Sequence, residues 1–471
     1  MSADSSVESF PAADPKAGKI YRVGTLRYTL GGVVVLFLWL LWGDFCFTIF
    51  ESIFGKFLPL YMKDLQASNT MIGVMAGSVG GVVNVLFLPN ISMASDRHRG
   101  RWGRRIPFLF WSTPCAVGAL VLIGFSSEIG AWLHAALAKL PVSLSVSAVT
   151  LALLSAFVVG YHFFNMVLVN IYQCLLRDVV PPELMARFLA LFRVVGTVGT
   201  FVFSWYLFPH ILEHREALCA GIGLTYLAAF LLMCWRVKEG QYLPPPAQEK
   251  SAGVAKSFVA YFRESLSVPL YRNYLIMYAM VTAASTCAGP FVTLFARNTL
   301  ELSMDDIGKV FAWGALGSAL TYVPVGYLCD RIAPMRVAMI SLASLALAWA
   351  LGYFVAQDRN SWLVYSVLVA MVPSVGWNLG FNALTMHLFP VEKFGQFSSS
   401  LNVFGYGSII AGNFLAGRFI DLVGGNYRMI FVWSLSWFTF SLVPMGLVYR
   451  EWRRHGGPKA YVAPFPAISS R

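Results

Sequence analysis

The chain has 471 residues, 57% of them hydrophobic and only 12% charged, with a mean hydropathy of +0.64. Soluble domains carry about 25% charged residues, so this composition excludes an ordinary cytosolic enzyme, a disordered chain and a disulfide scaffold. The formal net charge of +12 falls in clusters between long uncharged runs, which reads as topology-setting charge at membrane-helix ends and not as a nucleic-acid surface.

A bilayer-spanning helix needs about 20 mostly apolar residues. The apolar runs predict an all-α membrane protein of twelve transmembrane helices, near 30–58, 70–92, 106–126, 148–173, 187–208, 218–236, 272–296, 305–328, 336–356, 361–387, 396–420 and 428–449. A polar tail, 1–28, precedes the first run, and no small-residue cleavage site follows it, so it reads as a retained span. Six spans occupy 29–236 and six occupy 272–449, with a second tail over 450–471. The connection 237–271 opens with Pro244-Pro245-Pro246; Val254, Phe258, Tyr261, Phe262 and Leu266 then recur at helical spacing, as in an amphipathic helix on the inner membrane face. With the N-terminus inside, the inner connections and helix ends hold 26 of the 35 Lys and Arg residues. That asymmetry predicts a multi-pass protein of the inner (cytoplasmic) membrane with both termini cytoplasmic.

Asp44 lies near the middle of the first span, where an aspartate costs about 2.5 to 3.5 kcal/mol and is a functional candidate by default. Glu51 follows at i+7 with Thr48 between them, so the three share a face. Desolvation disfavours an ionised carboxylate, and Asp44 and Glu51 are therefore the candidate proton-coupling pair; an ion pair with Lys56 or with an arginine elsewhere is the structural alternative. Trp39 joins this span as a solute contact. Span four offers Tyr161, His162 and Asn165, and Arg193 stands about one turn into span five. Tyr278, Thr282 and Ser285 follow i, i+4, i+7 spacing in span seven, while Trp377, Asn378 and Asn382 follow Pro373 in span ten. Amides and hydroxyls beside aromatic rings suit the hydroxyls and apolar face of a sugar, although such residues also join helices to one another.

The chain repeats itself. Asp96-Arg97 ends span two and Asp330-Arg331 ends span eight; Pro181-Pro182-Glu183 precedes span five and Pro390-Val391-Glu392 precedes span eleven. Two like halves are one way transporters build alternating access about a central site. The seven cysteines form no CxxC pair, which excludes a disulfide framework or zinc site. No phosphate-binding GxxxxGK[ST] loop, metal-binding helix or nucleophile–base set is present, so no cofactor, resident metal or catalytic residue is expected.

The loop Ser95-Asp96-Arg97-His98-Arg99-Gly100-Arg101-Trp102-Gly103-Arg104-Arg105-Ile106-Pro107-Phe108 resembles a signature of the glycoside and sucrose cation symporters within the major facilitator superfamily. The stretch Gly326 to Arg336, through Asp330-Arg331, resembles the general facilitator signature at the equivalent place, and Leu176-Arg177-Asp178-Val179-Val180-Pro181 is similar to the sucrose-type connection between spans four and five. Ser92 stands where the general signature has glycine. The resemblance implies a cavity lined by spans one, four, seven and ten, and a cytoplasmic gate of Asp96, Arg97, Arg104, Arg105, Arg177, Asp178, Glu183, Arg187, Arg193, Asp330, Arg331 and Arg336. Asp96 would meet the N-terminus of span eleven, where the helix dipole favours an anion, and Arg97, Arg104 and Arg105 would bridge to Asp178 and Glu183. Span two lacks the carboxylate of the sodium-coupled glycoside carriers, so the coupling ion is expected to be a proton. The expected function is import of a sugar or glycoside by a monomeric symporter in the lipid bilayer. Export or uniport of another small organic solute is the alternative on the same fold.

Overall fold

The computed structural model describes residues 20–137, 145–242, 263–390 and 393–464. Twelve long helices dominate it: α1 (Leu30–Asp64), α2 (Asn69–Arg97), α3 (Ile106–Gly124), α4 (Val146–Val179), α5 (Pro182–His210), α6 (Arg215–Arg236), α7 (Pro269–Asn298), α8 (Met304–Arg331), α9 (Pro334–Val355), α10 (Arg359–Leu388), α11 (Phe394–Leu422) and α12 (Met429–Arg454). All except α8 are long and apolar enough to cross a membrane. The 28 residues of α8 span about 42 Å at 1.5 Å per residue, but Gly, Ser, Thr, Tyr and Pro interrupt its apolar run.

The helix starts follow local chemistry. Thr29 caps α1 by accepting from Gly32 N at 3.2 Å, Ser145 caps α4 through Ala148 N at 3.1 Å, and Asp358 forms a capping box with Ser361 at the start of α10. The ends run past the apolar stretches: α1 continues to Asp64 and α4 to Val179. Hydropathy marks the oil, whereas the backbone keeps its i→i−4 bonds into the polar interface.

Two stretches depart from the expectation. The 127–147 loop contains a 12-residue helix, Ser126–Leu137. The polar tail ends in a hairpin, β1 (Tyr21–Val23) with β2 (Leu26–Tyr28), turning at Gly24 with φ 54°. Of the expected amphipathic helix, Val254, Phe258, Tyr261 and Phe262 lie outside the described residues.

Helices α1–α6 pack mainly on one another, as do α7–α12. The halves meet along two seams, α2 against α11 and α5 against α8, with the second segment of α7 touching α1. The chain alternates between a basic face, which holds both described chain ends, and the opposite face. One apolar core fills the first half and continues into the second only at the opposite face, through Phe291, Phe295, Ile307, Trp362 and Phe431. The rest of the second half has its own core around Tyr271, Tyr274, Leu342 and Phe438. The bundle is therefore sealed at the opposite face.

Candidate functional site: a cavity between two halves

Asp44 and Thr48 face α5 where it has no side chain. A Cβ at Gly196 would stand 3.6 Å from Thr48 Oγ1 and 3.7 Å from Asp44 Oδ2. Asp44 is 3% exposed, and its Oδ2 has no hydrogen-bond partner among the described residues. Arg193, one turn nearer the basic face, is the cation whose field reaches it. Glu51 is exposed, and beside it stand Asn165 and Tyr161 of α4. The Tyr161 hydroxyl and Asn165 Oδ1 are buried and also lack partners among the described residues. Unsatisfied buried polar groups cost about 1–3 kcal/mol each, so this wall of α1 and α4 is suited to donate and accept protons or hydrogen bonds.

Lys56 does not pair with Glu51. Its Nζ donates to Ser204 Oγ at 2.6 Å and sits 4.9 Å from the centre of the Phe311 ring and 5.4 Å from that of Phe203. It lines a cavity of about 490 Å³ between the halves, together with Phe54, Gly77, Ser285, Thr286 and Asn413. Tyr161 stands directly behind this wall, its ring stacked on Phe54 at 4.0 Å.

The other expected solute contacts divide. Ser285 reaches the cavity, whereas Thr282 is buried and donates to Tyr278 O at 2.8 Å. The Tyr278 ring stacks on Phe381 at 4.8 Å. Asn378 and Asn382 are exposed on one face of α10, with their amides bonded to Ser374 O and Asn378 O. Three expectations need correction. Trp377 is only 8% exposed and belongs to the core of the second half, so it is not an open aromatic plate. Trp39 stacks near Arg236, 5.8 Å away, on the α6 side of α1 and away from the acidic face. His162 fastens α4 to α2, its Nε2 lying 2.9 Å from Met75 O.

At the basic face a charge network holds the first half together. Arg104 grips Asp178 with two bonds of 2.9 and 2.6 Å, and Arg105 reaches Asp178, Ser95 and Asp96. Sequence reasoning missed Glu239, which accepts from the backbone N–H groups of Arg104, Arg105 and Ile106 at 2.9, 2.8 and 2.7 Å. It is the N-terminal cap of α3, delivered from beyond α6, and Tyr242 donates to it at 3.2 Å. Burial, then the Glu239 charge, pushes the Tyr242 phenol above its ordinary value. One gate expectation is corrected: Asp96 pairs with Arg105 and not with the start of α11. Arg104 and Arg105 both bridge to Asp178, within the first half. Arg97, Arg177, Glu183, Arg187 and Arg336 are exposed and make no ion pair among the described residues, while Arg331 stacks on Tyr327 at 4.5 Å. The side chain of Asp330 lies outside the described residues.

The link between a carboxylate and a helix start occurs at the opposite face. Asp421, near the end of α11, accepts from Asn69 N at 3.0 Å and Thr70 N at 2.8 Å, and from both their side chains. Tyr427 adds a bond to Asn69 at 2.8 Å, and Arg297 pairs with Asp64 at 2.9 Å. Glycine permits the contact: a Cβ on Gly417 would fall 2.3 Å from Asn69 O. No motif links residues 352 positions apart, so only the fold discloses this clamp.

Two six-helix bundles around a central cavity, sealed at one face, define a membrane transporter and not an enzyme. The sequence model of the Major Facilitator Superfamily matches residues 40–412 and again 274–464, and the chain belongs to that superfamily. The match is to the superfamily as a whole and singles out no sugar-carrying branch. No curated protein sequence matches the chain. Among solved structures, the nucleoside transporter NupG is similar with a TM-score of 0.67 and 12% identity, over 88% of this chain and 100% of its own. A bacterial homologue of the iron transporter ferroportin, in its inward-facing state, is similar with a TM-score of 0.65 and 14% identity, over 88% of this chain and 99% of its own. A bacterial homologue of ferroportin in an outward-facing state gives 0.55 at 17% identity, over 88% of this chain and 99% of its own. A bacterial homologue of the human lysosomal transporter Spinster gives 0.62 at 12% identity, over 89% of this chain and 97% of its own.

Proposed function

We propose that the protein is a proton-coupled secondary transporter that imports a small hydroxylated solute, of sugar or glycoside class, by alternating access. In this reading α8 is the twelfth span, both termini are cytoplasmic, and the protein works as a monomer in the cytoplasmic membrane. The excess of Lys and Arg on the basic face supports that orientation. The opposite face is then the outside, and this conformation opens inward. The observation that carries the reading is the acidic wall of α1: Asp44 and Glu51 form no ion pair among the described residues, and one is buried while the other is exposed.

In the proposed cycle the outer clamp opens, proton and solute enter, and the α2–α11 and α5–α8 seams rock about the cavity. A carboxylate without a counter-ion is costly to bury ionised, so moving it between water and protein links its proton to the open face. One charge moving inward releases about 2.3 kcal/mol per 100 mV, enough for roughly fifty-fold accumulation at about 1.36 kcal/mol per decade. Counterflow of labelled sugars in proteoliposomes, with and without a pH gradient, tests the reading. Accumulation driven by the gradient is expected; sugar-independent proton flux or no counterflow of any sugar would refute it.

A further inference from the structure

The cavity between the halves is electrically one-sided. Among the described residues, Lys56 is the one charged side chain in its lining, and no carboxylate borders it. The ammonium has three donors, of which Ser204 takes one, and no ion pair satisfies the others among the described residues. Glu51 lies five residues earlier on α1, about 140° around the helix, and faces α4 instead. The rings of Phe203 and Phe311 hold the cation in place by cation–π attraction without neutralising it.

The break in α7 points the same way. The helix stops at Ser285 and restarts as Gly289–Asn298, a segment of 10 residues. Its start, Gly289 and Pro290, lines the same cavity beside Thr286. The Gly289 N–H makes only a 3.4 Å contact to Thr286 O and Pro290 has no N–H, whereas Phe291 and Val292 both donate to Ala288 O at 3.0 Å, so Gly289 is the donor this start offers. A half-helix N-terminus bordering a cavity between the halves presents the positive end of its dipole to the occupant.

We infer that the solute held in this cavity carries an anionic group, a carboxylate or phosphate, received by Lys56 and the N-terminus of the Gly289–Asn298 segment. This rests on the transport reading above and deepens it: the Ser285 and Thr286 hydroxyls and the Asn413 amide address a hydroxylated body, and Lys56 addresses its charge. A volume near 490 Å³ lies within the range of about 300–1,000 Å³ for small-molecule sites.

Three probes on one hexose frame test this: glucose, glucuronate and glucose 6-phosphate, measured by ligand-induced thermal stabilisation of the full-length protein and by counterflow. At least one anion is expected to bind about tenfold or more tightly than glucose. Lys56→Gln should remove that preference, while Lys56→Arg should keep it within about threefold. A carboxylate site favours glucuronate and a phosphate site favours glucose 6-phosphate. Equal binding of all three, binding of neither anion, or anion preference unchanged in Lys56→Gln overturns the inference. Spin labels on the 65–68 and 423–428 loops report the opening of the opposite face independently. Motion without anion binding defeats this inference alone, whereas a bundle that never opens defeats the transport reading as well.

Discussion

Asp421 caps the start of α2: its two carboxylate oxygens take the backbone N–H groups of Asn69 at 3.0 Å and Thr70 at 2.8 Å, tying the two halves together at the opposite face. The contact joins a negative charge to the positive end of a helix and adds charge-assisted bonds from both side chains. Because Asp421 belongs to one half and Asn69 to the other, the bond exists only in the conformation sealed at this face.

Asp421→Asn should therefore loosen the seal without unfolding either half. Loss of the charge on a helix start is expected to shift the opening equilibrium by about 1–2 kcal/mol, or roughly five- to thirty-fold. Distances between spin labels on the 65–68 and 423–428 loops measure it, and the longer-distance population should grow. An unchanged distribution would show that Gly417 packing and the Arg297–Asp64 pair close the face unaided.

Glu239 makes a different prediction, because all its bonds stay within the first half. Glu239→Ala leaves the N–H groups of Arg104, Arg105 and Ile106, at and just before the start of α3, without their acceptor and should destabilise the protein by about 1–3 kcal/mol, with Glu239→Gln milder. Thermal unfolding reads the difference. The spin-label distances at the opposite face should stay as they are, since no bond of Glu239 crosses between the halves among the described residues.

The second half carries a pH-dependent fastening. Burial opposes ionisation of Glu264, but the Lys393 ammonium and the Gln396 amide, bonded at 2.6 Å, outweigh it and hold the carboxyl below its ordinary value. A depressed carboxylate contributes stability that is full above the unfolded value, about 4.3, and fades as pH falls through the lower folded value. Thermal stability measured from pH 7 down to about 3 should drop less steeply in Glu264→Gln than in the parent protein.

Much of the architecture was legible because oil imposes a simple rule: apolar runs of about 20 residues separated by charge. That rule accounts for eleven of the twelve long helices, with α8 carrying a less apolar run, and misses what lies outside the oil, such as the helix Ser126–Leu137. The hairpin at 21–28 carried a signal, since Tyr21-Arg22-Val23 and Leu26-Arg27-Tyr28 alternate around Gly24, but hydropathy does not read period two. At the site, Asp44 and Glu51 stood out by cost alone. Trp377 and His162 misled because polar and aromatic residues serve packing as readily as solute contact. The five-residue spacing already turns Lys56 about 140° away from Glu51, but spacing alone does not show that a cavity lies on that side. Glu239 and Asp421 were beyond reach, since each acts on backbone groups more than a hundred positions away.

The account stands on the α1 carboxylates as the proton-linked element, and one comparison addresses it directly. Solute uptake into proteoliposomes is measured with and without an imposed pH gradient for the parent protein and for Asp44→Asn. The parent should accumulate solute only with the gradient, and Asp44→Asn should lose that accumulation while still exchanging solute across the membrane at equilibrium. Gradient-driven accumulation that persists undiminished in Asp44→Asn would contradict the account.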